Sequence, residues 1–208
     1  MISDDDLTHI GLRPAGGARV LLIACGALAR EIVDLQAKNG WQHFDLQCLP
    51  AILHNTPDAI VPAVQALVAQ HRAGYETIFV VYADCGTGGL LQAACDRLGV
   101  QMIPGPHCYS FYDGNAAFAA RGEMTCFYLT DFLVRQFDAF VWRPLGLDRH
   151  PQLRDTYFGN YTTLVYQAQT DDIALDVQAR ACAARLGLAY ERRFTGYGDL
   201  ATHLALRA

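Results

Sequence analysis

Apolar residues along this chain fall in blocks that alternate with segments of helical spacing. ARVLLIA (18–24) is a continuous apolar run, as expected of a strand covered on both faces. In the next segment Leu28, Ile32 and Leu35 recur at helical spacing, and Asn39-Gly40 supplies a stop. FDLQCLP (44–50) predicts a second strand. Residues 61–74 predict a helix, with Pro62 tolerable only in its first turn. TIFVVYA (77–83) is the third strand, residues 88–99 a helix closed by Gly99, and VQMIP (100–104) a short fourth strand. This strand–helix alternation predicts an α/β protein, with a doubly wound, mostly parallel sheet in Rossmann-like layers.

Beyond residue 115 the blocks are less regular. AAFAARG (116–122) has a helical pattern and MTCFYLT (124–130) that of a strand. DFLVRQFDAFVW (131–142) predicts a helix and then a turn, and residues 144–161 are polar and turn-rich. TTLVYQA (162–168) is a strand. The helix after it, over 171–187, has Thr170 as its expected N-cap and two acids in its first turn. LAYERRF and DLATHLAL complete the pattern with a strand and a helix. VLLIACGALARE and IFVVYADCGTGGLL share one plan of strand, Cys-Gly, helix, and TTLVYQAQTDDIAL keeps the outline without the cysteine. These echoes suggest a weak internal pseudo-repeat. Residues 1–17 are acidic and lack an apolar signal core, and are expected to form a flexible arm ahead of a single α/β domain over 18–208.

Composition narrows the function classes. The chain has 208 residues, 52% of them hydrophobic, enough for a full core. A net charge of −5 without a basic patch argues against nucleic acid as a partner. The longest apolar runs are too short for a membrane span. Seven cysteines, with neither an export signal nor a CxxC, suggest reduced thiols and a cytoplasmic protein rather than a disulfide framework.

Those cysteines carry the chemistry. In open α/β sheets ligands bind beyond the carboxyl ends of the strands. Cys25 follows the first predicted strand, His54 the second, Cys85 the third, and His107-Cys108 the fourth. Cys25 and Cys85 precede Gly26 and Gly86, at expected helix N-termini where backbone N–H groups favour a thiolate. Gly86, Gly88 and Gly89 resemble an anion-cradling nest, and with Gly26 they are candidates for close approach to a ligand or cofactor. Cys25, Cys85 and Cys108, with His54, make a soft donor set suited to an iron–sulfur cluster or zinc. His107 is then an acid–base group, a role also open to His54. A metal-free alternative makes Cys85 the nucleophile of an acyl or amide transferase or hydrolase, with His54 or His107 moving protons and the GTGG amides as oxyanion hole. A third reading is a non-enzymatic carrier or maturation factor for a metal or small-molecule ligand. Cys48, Cys95, Cys126 and Cys182 are expected to be small apolar fillers.

Four ordered motifs, LIACGALARE, LPAILHNTPDAI, YADCGTGG and IPGPHCYSFYDG, followed by CFYLTDF and TGYGDL, resemble the bacterial and archaeal family catalogued as domain of unknown function 1638 over roughly residues 18–200. The family's reactive positions correspond to Cys25, His54, Cys85, His107 and Cys108. Some members read His-Asp-Cys where this chain has His107-Cys108. The resemblance implies an association with corrinoid-dependent methyl transfer from methylated amines, and so corrinoid methyl-transfer proteins as partners. The chain lacks a DxHxxG cobalamin signature. The implied role is therefore an accessory enzyme or metal protein of one-carbon metabolism, and the low-potential setting slightly favours iron–sulfur over zinc.

Overall fold

The computed structural model describes residues 3–207. Its elements follow in the order α1 (Asp4–His9), β1 (Val20–Cys25), α2 (Ala29–Asn39), β2 (Phe44–Leu49), α3 (Ile60–His71), β3 (Thr77–Val81), α4 (Leu90–Leu98), β4 (Gln101–Met102) and α5 (Ser110–Asp113). After these come α6 (Asn115–Arg121), β5 (Cys126–Thr130), α7 (Asp131–Arg135), α8 (Arg154–Phe158), β6 (Thr163–Ala168), α9 (Ile173–Leu186), β7 (Ala189–Phe194) and α10 (Gly198–Ala205). Each strand predicted from the apolar runs is present. Among the described residues no helix is long and apolar enough to cross a membrane.

The strands form two sheets, ordered β2-β1-β3-β4 and β5-β6-β7, and every pairing in both is parallel. The α/β class with parallel sheets flanked by helices is therefore correct. The chain divides into two compact units: one runs to Phe111 and resumes at Leu200, and the other is Tyr112–Asp199.

In the first unit Val20 pairs with Phe44 on one side and Thr77 on the other, so β1, β2 and β3 run in register. Leu21, Leu22 and Ile23 are fully buried. Burial of each such side chain contributes about 1.5–3 kcal/mol. Between β1 and β3 the strand order reverses direction, and in open parallel sheets the crevice for a ligand opens at that point.

Residues 1–17, expected to form a flexible arm, instead contain α1, capped by Ser3, with Leu7 and Thr8 buried. Leu12 then exchanges two backbone hydrogen bonds with Cys48, at 3.0 and 2.8 Å, as an antiparallel bridge on β2. The apolar Leu7 and the unpaired edge of β2 explain this docking. Gly26 lies under it. A methyl group there would stand 2.2 Å from the Leu7 carbonyl oxygen and 3.2 Å from the Ala51 amide nitrogen. Its role is close packing of chain on chain, not approach to a ligand.

The second unit packs α9 against α7, β6 and β7 over a core that includes Leu129, Phe137, Leu164, Leu175 and Leu186. Thr170 is not the N-cap of α9. Asp172 caps it, accepting from the amides of Ala174 and Leu175. Thr170 is held by Asp131, whose buried carboxylate takes the Thr170 hydroxyl and amide, the Gln169 amide and the Tyr166 hydroxyl.

Gly26→Ala is expected to cost about 2–4 kcal/mol, because backbone must move to admit the methyl group. Gly88→Ala, with open space around the new atom but φ of +63°, is expected to cost only about 1–2 kcal/mol. Urea denaturation of both variants checks the difference.

Candidate functional site

Parallel pairing in the first unit carries Cys25, His54, Cys85, His107 and Cys108 to the same sheet edge, as their places in the sequence predict. The two Cys-Gly junctions nevertheless differ. Cys25 is the last residue of β1, in extended backbone, and Gly26 opens a 3-10 turn. Cys85 lies four residues beyond β3 and is the one non-glycine residue at positive φ, +48°, among the described residues. Neither cysteine begins an α-helix, since α2 starts at Ala29 and α4 at Leu90.

Two sets of hydrogen bonds hold Cys85 in this conformation. The Asp84 and Cys85 amides donate to the carbonyls of Gly105 and Pro106 at 2.9 and 3.1 Å, which extends the β3–β4 contact past the strand ends. The Asp84 carboxylate turns back on its own loop and accepts from the Thr87 hydroxyl at 2.8 Å, the Gly88 amide at 3.1 Å and the Gly89 amide at 2.6 Å. Burial opposes its charge, but Gly89, Thr87, Gly88 and the Gly86 amide outweigh this and keep the carboxyl below its ordinary range. The expected nest is thus filled from within. Its amides are committed to Asp84 and are not free for a phosphate or an oxyanion.

The Gly105–Pro106 contact brings the next residues onto Cys85. The Cys85 and Cys108 sulfurs stand 3.0 Å apart, both as free cysteines. Hydrogen bonding from the Cys108 thiol lowers the Cys85 thiol to about 5; burial opposes this, and the His54 side chain and the Cys108 amide add to it. Cys108 shifts the other way, well above its ordinary value, because it keeps its proton to donate its S–H to the Cys85 sulfur and because it is buried. The pair therefore holds one proton between two sulfurs: thiolate on Cys85, thiol on Cys108. His54, in the 3-10 segment Ala51–Asn55 after β2, is exposed to solvent and touches the Cys85 sulfur from that side.

His107 stands apart from this contact. Its ring stacks on Tyr109 with centroids 4.8 Å apart and planes 9° apart. Burial pushes its pKa down, with Cys85 and Asp84 pulling against that. Cys25 is also set apart by its protonation. Burial pushes its thiol up to about 12, with the Ala27 amide pulling against that. It is a thiol, not the thiolate expected of a helix N-terminus. Among the described residues no group of three or more His, Cys, Asp or Glu side chains is arranged to hold a metal ion. The donor set Cys25, Cys85, Cys108 and His54 thus shares an edge without converging as ligands.

Asp84 and Tyr82 were not among the sequence candidates. Asp84 is readable in retrospect, because an Asp ahead of the glycine-rich run Gly86-Thr87-Gly88-Gly89 is a turn signal. Tyr82 is buried beside β3, and its hydroxyl has its neighbours among the thiols of Cys25, Cys108, Cys48 and Cys85. Only the fold brings these together. Cys48, Cys95 and Cys182 are buried, and Cys126 is partly so. A cavity of about 430 Å³, lined by Arg72, Tyr75, Thr77, Gln101 and Arg207, is at the amino ends of β3 and β4, far from this chemistry.

The fold and site define an α/β protein with a paired-thiol centre at the carboxyl edge of a parallel sheet. The chain belongs to the family described as "Protein of unknown function (DUF1638)", which matches residues 48–204. The match includes His54, Cys85, His107 and Cys108 and leaves Cys25 outside. That description carries no activity, cofactor or partner, so it lends no support to corrinoid-linked methyl transfer. No curated protein and no solved structure matches the chain.

Asp84→Ala is expected to cost about 2 kcal/mol by stripping the Thr87, Gly88 and Gly89 donors of their acceptor. Asp84→Asn keeps an acceptor oxygen and should cost less than half as much. Thermal melts of the two variants beside the parent chain check the order.

Proposed function

We propose that this chain is a cysteine-dependent enzyme in which the Cys85 thiolate bonds covalently to a small electrophilic substrate. Cys108 steadies the thiolate by donating its S–H, and His54 moves protons at the solvent side. The observation that carries this reading is the 3.0 Å contact between the Cys85 and Cys108 sulfurs on a turn held at positive φ. A buried filler cysteine needs neither the strained backbone nor the second sulfur. His107, stacked and outside the contact, acts on the shape of the site rather than on the bond-making step. The metal reading has less support, because among the described residues no group of three or more His, Cys, Asp or Glu side chains is arranged to hold a metal ion.

The test is the pH profile of alkylation by iodoacetamide, with the modified residue located by peptide mass spectrometry. With its thiol lowered from 9.0 to about 5, Cys85 at pH 7 holds about a hundredfold more thiolate than an ordinary cysteine. Alkylation of Cys85 should therefore stay fast through neutral pH and decline only as pH falls through about 5. Cys108→Ala removes the main donor and should move that decline to higher pH. His54→Ala should move it less far in the same direction. A profile with an ordinary thiol midpoint would refute the nucleophile. Elemental analysis of anaerobically purified protein checks the rival: stoichiometric zinc, or iron with sulfide, with Cys85 protected from alkylation, would put a metal centre in its place.

A further inference from the structure

From the paired sulfurs we infer that the substrate is a small-molecule disulfide, that Cys85 and Cys108 reduce it by two electrons as they pass from dithiol to disulfide, and that two equivalents of a thiol reductant restore the dithiol. This rests on the reading of Cys85 as nucleophile and adds the substrate class and a second reacting residue.

Three observations point here. The sulfurs are 3.0 Å apart, against about 2.05 Å in a disulfide, so bond closure needs only a small movement. The loops that carry them are already tied together by the Asp84–Gly105 and Cys85–Pro106 backbone bonds, so the sulfurs meet without rearrangement of the sheet. The site also lacks what carbonyl chemistry would require. The amides of Gly88 and Gly89, the expected oxyanion hole, are taken by Asp84. Thiol–disulfide exchange develops its charge on sulfur, and the donors at the Cys85 sulfur are a thiol and an imidazole, which can serve it. Access selects for size. Cys85 is 4% exposed, while His54, Gly86 and Gly88 around it face solvent, so a slender disulfide fits better than a disulfide within a folded protein.

The steps balance. The Cys85 thiolate attacks one sulfur of R–S–S–R′; the S–S bond breaks and R′–S⁻ leaves, taking the proton that Cys108 releases. The Cys108 thiolate then attacks the Cys85 sulfur of the mixed disulfide and expels R–S⁻. The substrate gains two electrons and becomes two thiols, R′–SH with the proton from Cys108 and R–SH with a proton from solvent. The protein loses two electrons and closes the Cys85–Cys108 bond.

The test treats the fully reduced, full-length chain with hydroxyethyl disulfide at neutral pH, quenches with acid, and maps the products by peptide mass spectrometry. The parent chain should yield a Cys85–Cys108 linked peptide together with two equivalents of mercaptoethanol. Cys108→Ser should stop at a stoichiometric mixed disulfide on Cys85, and Cys85→Ser should give neither product. If the parent chain itself stops at the mixed disulfide on Cys85, or links Cys85 to Cys25 instead, the dithiol cycle is wrong while the nucleophile stands. If Cys85 of the parent chain reacts with neither hydroxyethyl disulfide nor iodoacetamide, both readings fail.

Discussion

Parallel pairing is the constraint on which the candidate site depends. When neighbouring strands run the same way, every connection must cross back over the sheet before the next strand begins. All carboxyl ends then open on one edge. In the first unit this condition brings residues 25, 54, 85 and 108, far apart in the chain, to that edge. β1, apolar throughout and with no polar side to turn outward, sits inside the sheet between β2 and β3. The core and the placement of the thiols are thus consequences of the same apolar runs.

Within that frame one carboxylate does the local shaping. Asp84 uses up the glycine-loop amides, and its neighbour Cys85 is left at positive φ with its sulfur against Cys108. A non-glycine residue in that region costs on the order of 1–2 kcal/mol. The bonds to Gly105, Pro106, Thr87, Gly88 and Gly89 offset that cost. The glycines serve the turn and the packing: Gly88 and Gly89 give their amides to Asp84, and Gly26 lets the α1 segment close over β1. One loop therefore links a structural role to a chemical one, because the same bonds that stabilise the turn present a thiolate to a second sulfur.

The two Cys-Gly junctions show how similar sequence leads to different chemistry. Cys25 ends a buried strand, and desolvation keeps its proton on. Cys85 is likewise followed by glycine, but hydrogen-bond donors at its sulfur stabilise the thiolate. Burial alone pushes both upward, and the difference is made by Cys108 and His54, which are distant in sequence. An argument from helix N-termini cannot separate the two, because neither residue begins an α-helix and the decisive donors come from other strand ends.

Apolar runs and turn residues by themselves determined the α/β class, the strands and the sheet edge on which the reactive residues gather. These are local properties, since strand burial and helix spacing are written in consecutive side chains. They also pointed to Cys85, Cys108 and His54. Tertiary structure decided the rest. It divided the strands between two sheets, docked residues 3–12 through Leu7 and the edge of β2, and gave the glycine amides to Asp84. It also parted Cys25 from the other thiols by protonation and left His107 stacked on Tyr109. Distances between side chains and the proton on each sulfur depend on groups that meet only after folding, and no spacing along one chain encodes them.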